Sequence, residues 1–378
     1  MESVKLFAAY LPQYHETEDN NKFWGKGFTD WIGVRNAKPL FDGQIQPKIP
    51  LENYYYDLSR KDDIKKQVEI ANKYGIDGFN IYHYWFKDGK QELHIPAEII
   101  LNNHDILIQF FFTWDNGAWK RTWSNLEGND WAPAFDSKKN INDGPQVLVE
   151  FDYGDETAWK KHFDYLLPFF KDRRYLKIEN KPVFMIMTPT DNKIQKNMAS
   201  YWEKLAIVNG FAGIFMVSRH RVFNLKTTFN YDFVYEPITS SWGIRRAIEN
   251  RLKKYLGFKG WYDKPVKYLY DYDKVWKKII QNTLQYSNKT IPGCFVRYDD
   301  TPRRGKMAGI IIGESPEKFY NYFKQFYKIV SKQKKKLALI TAWNEWGEGA
   351  YLEPDKFDKY AYLEALNKAK NEVNSINE

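Results

Sequence analysis

The sequence predicts one α/β domain, a (β/α)8 TIM barrel with long βα-loop insertions spanning residues 1–378, and three observations predict it. Apolar strand-like segments alternate with amphipathic helical ones eight times along the 378 residues. The strand-like segments are apolar through their length, as strands covered on both faces are. No Gly-rich dinucleotide fingerprint follows the first of them, which favours a closed barrel over an open doubly wound sheet.

Taken in order, Val4–Tyr10 reads as the first strand. Asp57 or Ser59 is placed to cap a helix running to Tyr74, with Ile64, Val68, Ile70 and Ala71 at helical spacing and Gly75 as its stop. Ile76–His83 is a second strand, Ile95 to Asn103 a short helix and Ile106–Thr113 a third strand. A helix near Glu156–Lys171 leads into a fourth strand, Pro182–Met187. The helix from Gln195 to Asn209 is followed by Gly213–Val217, and Asp232–Tyr235 is the sixth strand. Trp276–Tyr286 precedes Gly293–Arg297, Pro316–Lys332 precedes Leu337–Ala342, and a last helix covers Tyr360–Val373.

Composition narrows the function. Hydrophobic residues make up 43%, enough for a large core. Mean hydropathy is −0.65, and the most apolar run, Ile106 to Trp114, is far shorter than the ~20 residues that span a bilayer. The N-terminus shows no basic n-region or cleavage site, and the single Cys294 excludes an internal disulfide. These features lead to the expectation of a cytoplasmic protein. Aromatics reach 18%, with 14 Trp and 27 Tyr; their flat faces stack on sugar rings while Trp and Tyr keep a polar handle. The formal charge of +9 favours an anionic partner, such as a nucleotide-sugar, a lipid phosphate or an acidic glycan. Nucleic acid explains it poorly, because no recognised binding module accompanies the charge.

In such a barrel the chemistry sits where strands end. Strand one ends in Tyr10, Gln13 and His15, strand two in Tyr82, His83 and Trp85, and strand three in Trp114 and Asn116. Strand six ends in Glu236, strand seven runs into Arg303 and Arg304, and strand eight ends in Trp343-Asn344-Glu345-Trp346-Gly347-Glu348-Gly349. A core gains nothing from gathering polar and aromatic groups at one end of its strands; a sugar site does. Glycosidic cleavage needs two carboxyl groups, one to protonate the leaving oxygen and one as nucleophile or base. Glu345 and Glu348 supply the pair. Trp343 and Trp346 would exclude water and raise one carboxyl pKa, Gly347 and Gly349 would let the backbone turn sharply, and Asn344 would bond a hydroxyl or orient a glutamate.

The last of these segments, followed by Glu353-Pro354, combines with Ala9-Tyr-Leu-Pro-Gln-Tyr-His15, Phe28-Thr-Asp-Trp31, Gly78-Phe-Asn-Ile-Tyr-His-Tyr-Trp85 and Asp299-Asp-Thr-Pro-Arg-Arg304. Together they resemble the WbsX-type family of surface-polysaccharide gene clusters, which is related to glycoside hydrolase family 99. The resemblance covers nearly the whole chain. It implies a (β/α)8 barrel and retaining action on glycosidic bonds, with Glu345 deprotonating the sugar's own 2-hydroxyl and Glu348 as general acid and then base. Family 99 usually has His where this chain has Gly347, so a contact that His would make is missing here. The resemblance leaves a second reading open, a sugar transferase of O-antigen or capsule assembly that uses an activated donor.

Other signals are weaker. Glu236 would contact substrate or pair with an arginine, and Arg303 and Arg304 would bind an anionic group or be solvated. His15 and His83 are the histidines placed at strand ends; none of the six shows metal-ligand spacing, and neither metal nor cofactor is expected. Asp271-Tyr-Asp273 has the form of a metal-holding DxD but precedes a helix, away from strand ends. A basic loop or helix insertion occupies about 240–275. Residues 244–278 hold eleven Lys and Arg against four Asp and Glu, with Ile244, Ile248, Leu252 and Leu256 forming an i, i+4 stripe opposite Arg245, Arg251 and Lys254. It reads as a lid over the barrel mouth, with lipid-phosphate or membrane-surface contact as a further expectation.

Overall fold

The computed structural model describes residues 3–120, 147–188, 193–220, 229, 231–241 and 268–377. The basic stripe from Ile244 to Leu256 lies outside the described residues. The barrel strands are β1 (Lys5–Tyr10), β2 (Gly78–Trp85), β3 (Gln109–Trp114), β4 (Lys181–Ile186), β5 (Phe215–Arg219), β6 (Tyr231–Phe233), β7 (Thr290–Ile291 continued by Gly293–Phe295) and β8 (Leu337–Thr341). Nine strand segments therefore make eight barrel strands. Pro292 divides β7 because it has no N–H for the ladder. Its first segment pairs with β6 and its second with β8, and β8 pairs with β1, so the parallel ring closes.

Most strand residues are buried, and every residue of β2 and β8 is. This is why they read as continuous apolar runs and not as alternating ones. Around them lie the helices α1 (Glu18–Trp24), α2 (Asp30–Asn36), α3 (Lys61–Lys73), α4 (Ile95–Asn102), α5 (Glu156–Lys171), α6 (Lys193–Val208), α7 (Tyr272–Gln285), α8 (Pro316–Val330) and α9 (Ala361–Asn377). Their starts follow from capping chemistry. Asp155 accepts from the Thr157 and Ala158 amides ahead of α5, and Ser315 does the same for Lys318 at α8, where Pro316 fills the first position. One cap differs from expectation: Arg60 precedes α3, because the Asp57 carboxylate is used in a turn with the Ser59 amide at 2.8 Å.

The Asp271-Tyr-Asp273 motif also has a structural role. Asp271 caps α7 through the Lys274 amide, while Asp273 pairs with Lys318 at 2.7 Å and accepts from the Tyr322 hydroxyl at 3.0 Å. Among the described residues no helix is long and apolar enough to cross a membrane.

Candidate active site

All eight barrel strands contribute to a single cavity at their C-terminal ends. Its volume is about 440 Å³, within the range of small-ligand sites. Leu11 and Gln13 line it after β1, Tyr82 and Tyr84 on β2, Asp115 and Trp119 after β3, and Met187 after β4. Arg219 closes β5, Tyr235 follows β6, Arg303 follows β7, and Glu345 and Glu348 follow β8.

The loop bearing the two glutamates is held from beneath. Asn344–Glu345 pairs with Ala350–Tyr351 in a short hairpin. Gly349, at φ 55°, makes its turn where a Cβ would lie 2.8 Å from the Asp299 carbonyl oxygen, so the position requires glycine. The Asn344 side chain bonds both backbone groups of Leu11, accepting from its N–H at 2.7 Å and donating to its carbonyl at 2.9 Å. Tyr14 donates to the Asn344 carbonyl at 2.6 Å and accepts from the Trp346 amide at 3.0 Å. Trp346 stacks on Tyr351 with centroids 3.7 Å apart and donates its indole N–H to Glu353 at 2.6 Å. Glu353 also accepts from Tyr56 at 2.8 Å and Gln67 at 2.7 Å. Burial pushes its carboxyl up to about 7, against the pull of those hydrogen bonds.

The charged groups of the site centre on Arg303. One guanidinium nitrogen donates to Glu348 Oε1 at 2.8 Å, and the other reaches Glu345 Oε2 at 3.1 Å and Asp30 Oδ2 at 3.0 Å. Both glutamates therefore face one cavity, no farther apart than a single guanidinium can bridge. They are not equivalent. The Glu345 side chain is 5% exposed and that of Glu348 19%. Burial pushes the Glu345 carboxyl well above the usual carboxylate range; Arg303 pulls it back and the neighbouring Glu348 charge adds to the rise. The absent side chain at position 347 is explained by the same cluster. A Cβ on Gly347 would meet Asp30 Oδ2 at 2.5 Å and Arg303 Nε at 2.6 Å, so Arg303 occupies the space a histidine would need.

Of the residues read as substrate contacts, Gln13, Tyr82 and Arg303 line the cavity with the two glutamates. The others are placed elsewhere, each for a packing reason. Tyr10 is fully buried and donates to Gln67 at 2.7 Å. Burial lowers His15 to about 4 and His83 to about 3. His83 Nε2 lies 2.8 Å from His162 Nε2, a ring on which Trp85 stacks at 4.4 Å. Trp114 donates to the Trp85 carbonyl at 3.1 Å, and Asn116 bonds both backbone groups of Thr188 at 2.8 and 2.7 Å. Glu236 accepts from the Ser240 amide and hydroxyl at 2.9 and 2.6 Å, and burial lifts it to about 7. Trp343, Asn344 and Trp346 are fully buried supports of the loop that carries the two glutamates. Arg304 is tied to Asp300 at 2.9 Å.

Sequence reasoning placed Tyr84, Asp115 and Tyr235 at strand ends without choosing them as site residues, and it did not pick out Asp30 or Arg219. Asp30 lay within the Phe28–Trp31 motif, but nothing in the sequence placed it beside Arg303. Arg219 is the last residue of β5, two places beyond the end assigned to that strand, and extending the strand would have found it.

The fold and the site define a parallel eight-stranded barrel that presents two glutamates at the end of its last strand. The chain belongs to the family described as glycosyltransferase WbsX, whose model matches residues 6–366. It is similar to the uncharacterized protein WxcX of Xanthomonas campestris pv. campestris, strain B100, at 27% identity over 96% of this chain and 49% of that protein. The chain thus spans about half the length of the curated relatives it matches. Its fold is shared with a solved glycoside hydrolase-like protein at TM-score 0.56 and 13% identity, covering 98% of this chain and 94% of the other. It is likewise shared with the GH99 endo-alpha-mannosidase of Bacteroides thetaiotaomicron at TM-score 0.55 and 13% identity, covering 98% of each chain.

Proposed function

We propose that this chain is a retaining glycosidase or transglycosidase acting on a surface polysaccharide, with Glu345 and Glu348 as its reacting groups. The observation that supports this reading is their joint presentation, across one guanidinium, into a cavity large enough for sugar rings. In the proposed reaction Glu345 takes the proton of the sugar's 2-hydroxyl, and that oxygen attacks the anomeric carbon. The glycosidic C–O bond breaks as Glu348 protonates the leaving oxygen. Water, or an acceptor hydroxyl in transfer, then opens the anhydro ring with Glu348 as base, and Glu345 returns its proton to the 2-oxygen. Burial suits Glu345 to this task, since a carboxylate of raised pKa is a stronger base. Arg303 holds both carboxylates in register.

The test is Glu348→Gln, a change of shape too small to disturb the fold. Turnover of any glycan the native enzyme accepts is expected to disappear, and retained full activity removes the reading. The family's description as a glycosyltransferase favours a second reading, transfer from an activated donor in O-antigen or lipopolysaccharide assembly. Titration with a panel of nucleotide-sugars separates the two: binding or donor hydrolysis supports transfer, and silence across the panel supports the glycosidase.

A further inference from the structure

The cavity contains a cation, Arg219, that forms no ion pair among the described residues. Among the described residues the other buried or half-buried arginines each hold a carboxylate. Arg174 pairs with Asp172 at 2.7 Å, Arg297 with Asp355 at 2.9 Å and Asp358 at 3.0 Å, and Arg303 with its three acids. Arg219 is half-buried and lines the cavity, yet no carboxylate among the described residues lies within ion-pairing distance of it. Its contacts are neutral: Nη1 sits 3.8 Å from Met187 Sδ, and the guanidinium lies 5.0 Å from the centroid of the Tyr235 ring. The ring face takes none of its donors and the thioether is a weak acceptor, so the fork is held in place and left available.

We infer that the cavity takes an anionic sugar, whose carboxylate or phosphate is received by Arg219. This rests on the proposed glycan-acting role of the same cavity. A cation set in a partly desolvated wall with no carboxylate bonded to its donors gains from a ligand that supplies one. The planar guanidinium matches both carboxylate and phosphate in a two-point bond. The chain's formal charge of +9 draws such ligands toward it. The other charged groups facing the region do not compete. Glu345 and Glu348 are bound to Arg303, three strands round the barrel, and Glu236 is tied to Ser240. Asp115, after β3, shares the cavity and feels the Arg219 charge, which opposes the rise that burial imposes on its carboxyl, but it forms no ion pair with the guanidinium and leaves the donors of the fork open.

Calorimetric titration of the full chain with glucose, glucuronate and glucose 6-phosphate at low salt tests this, because the three share a ring and differ in charge. At least one acidic sugar is expected to bind about tenfold or more tighter than glucose, as a charge-assisted bond implies; the tighter of the two names the anion. Arg219→Met should bring that ligand down to the glucose level with an unchanged circular dichroism spectrum. Asp115→Asn, which removes an anion that shares the cavity with Arg219, should tighten it. Equal binding of all three sugars, or a preference that survives Arg219→Met, overturns the inference. Binding is read here without turnover. A fully active Glu348→Gln enzyme would therefore remove the glycosidase mechanism and leave this result standing.

Discussion

Replacing Arg303 with Met removes the cation that three carboxylates share and leaves a side chain of similar length. The bonds lost are those at 2.8 Å to Glu348, 3.0 Å to Asp30 and 3.1 Å to Glu345. All four side chains are at most 19% exposed, so water compensates them poorly. Breaking a buried ion pair from one side costs about 3–5 kcal/mol. At about 2.1 cal/mol/K of unfolding entropy per residue, a chain this long should lose about 4–6 °C in Tm. The pH dependence is the sharper test. Burial already raises Glu345 in the folded state, so its contribution to stability is full below the unfolded carboxylate range and is lost as pH rises through the folded pKa. Arg303 opposes that rise, and without it the folded pKa climbs further and the loss widens. The Tm deficit of Arg303→Met should therefore grow from pH 5 to pH 8, as followed by circular dichroism melting. Arg303→Lys, which keeps the charge but not the fork, should recover part of it. A deficit under about 1 °C at pH 8, or one larger at pH 5, would refute the reasoning.

Three further outcomes are expected. On the proposed mechanism Glu345 acts only when ionised, so it sets the acid limb of the kcat/KM profile. Loss of Arg303 should move that limb to higher pH by about one to two units, the equivalent of one charge-assisted bond. Gly347→Ala places a Cβ 2.5 Å from Asp30 Oδ2 and 2.6 Å from Arg303 Nε; displacing the cluster should cost about 1–3 kcal/mol in urea unfolding and most of the turnover. Asn344→Ala strands the Leu11 N–H and carbonyl that the amide now satisfies. It should cost about 2–5 kcal/mol by the same assay, and a change within experimental error would show that the loop is held some other way.

The barrel was legible because its cause is local and repeated. Each strand is apolar on both faces and each helix on one, so the alternation survives in a single chain without knowledge of the neighbours. The glutamate pair was legible for a similar reason: it lies at the end of the eighth strand in a short segment rich in Trp and Gly. The aromatic and polar residues at the other strand ends proved less transparent. A strand end fixes height along the barrel but not whether a side chain faces the cavity or the packing behind it. Thus Tyr82 and Tyr84 line the cavity while His83, between them, is pressed against His162.

Sequence alone determined the (β/α)8 class and singled out Glu345 and Glu348 as the candidate pair, because periodicity and local motif are properties of adjacent residues. Tertiary structure decided what those carboxylates meet. Asp30 and Arg303 are far apart along the chain, and no local pattern predicts that they close on Glu345 and Glu348 or that the space beside Gly347 is already taken. Nor does any local pattern show that Arg219 faces the cavity with no ion pair among the described residues. Charge pairing depends on distances across the barrel, and those exist only once the ring has closed.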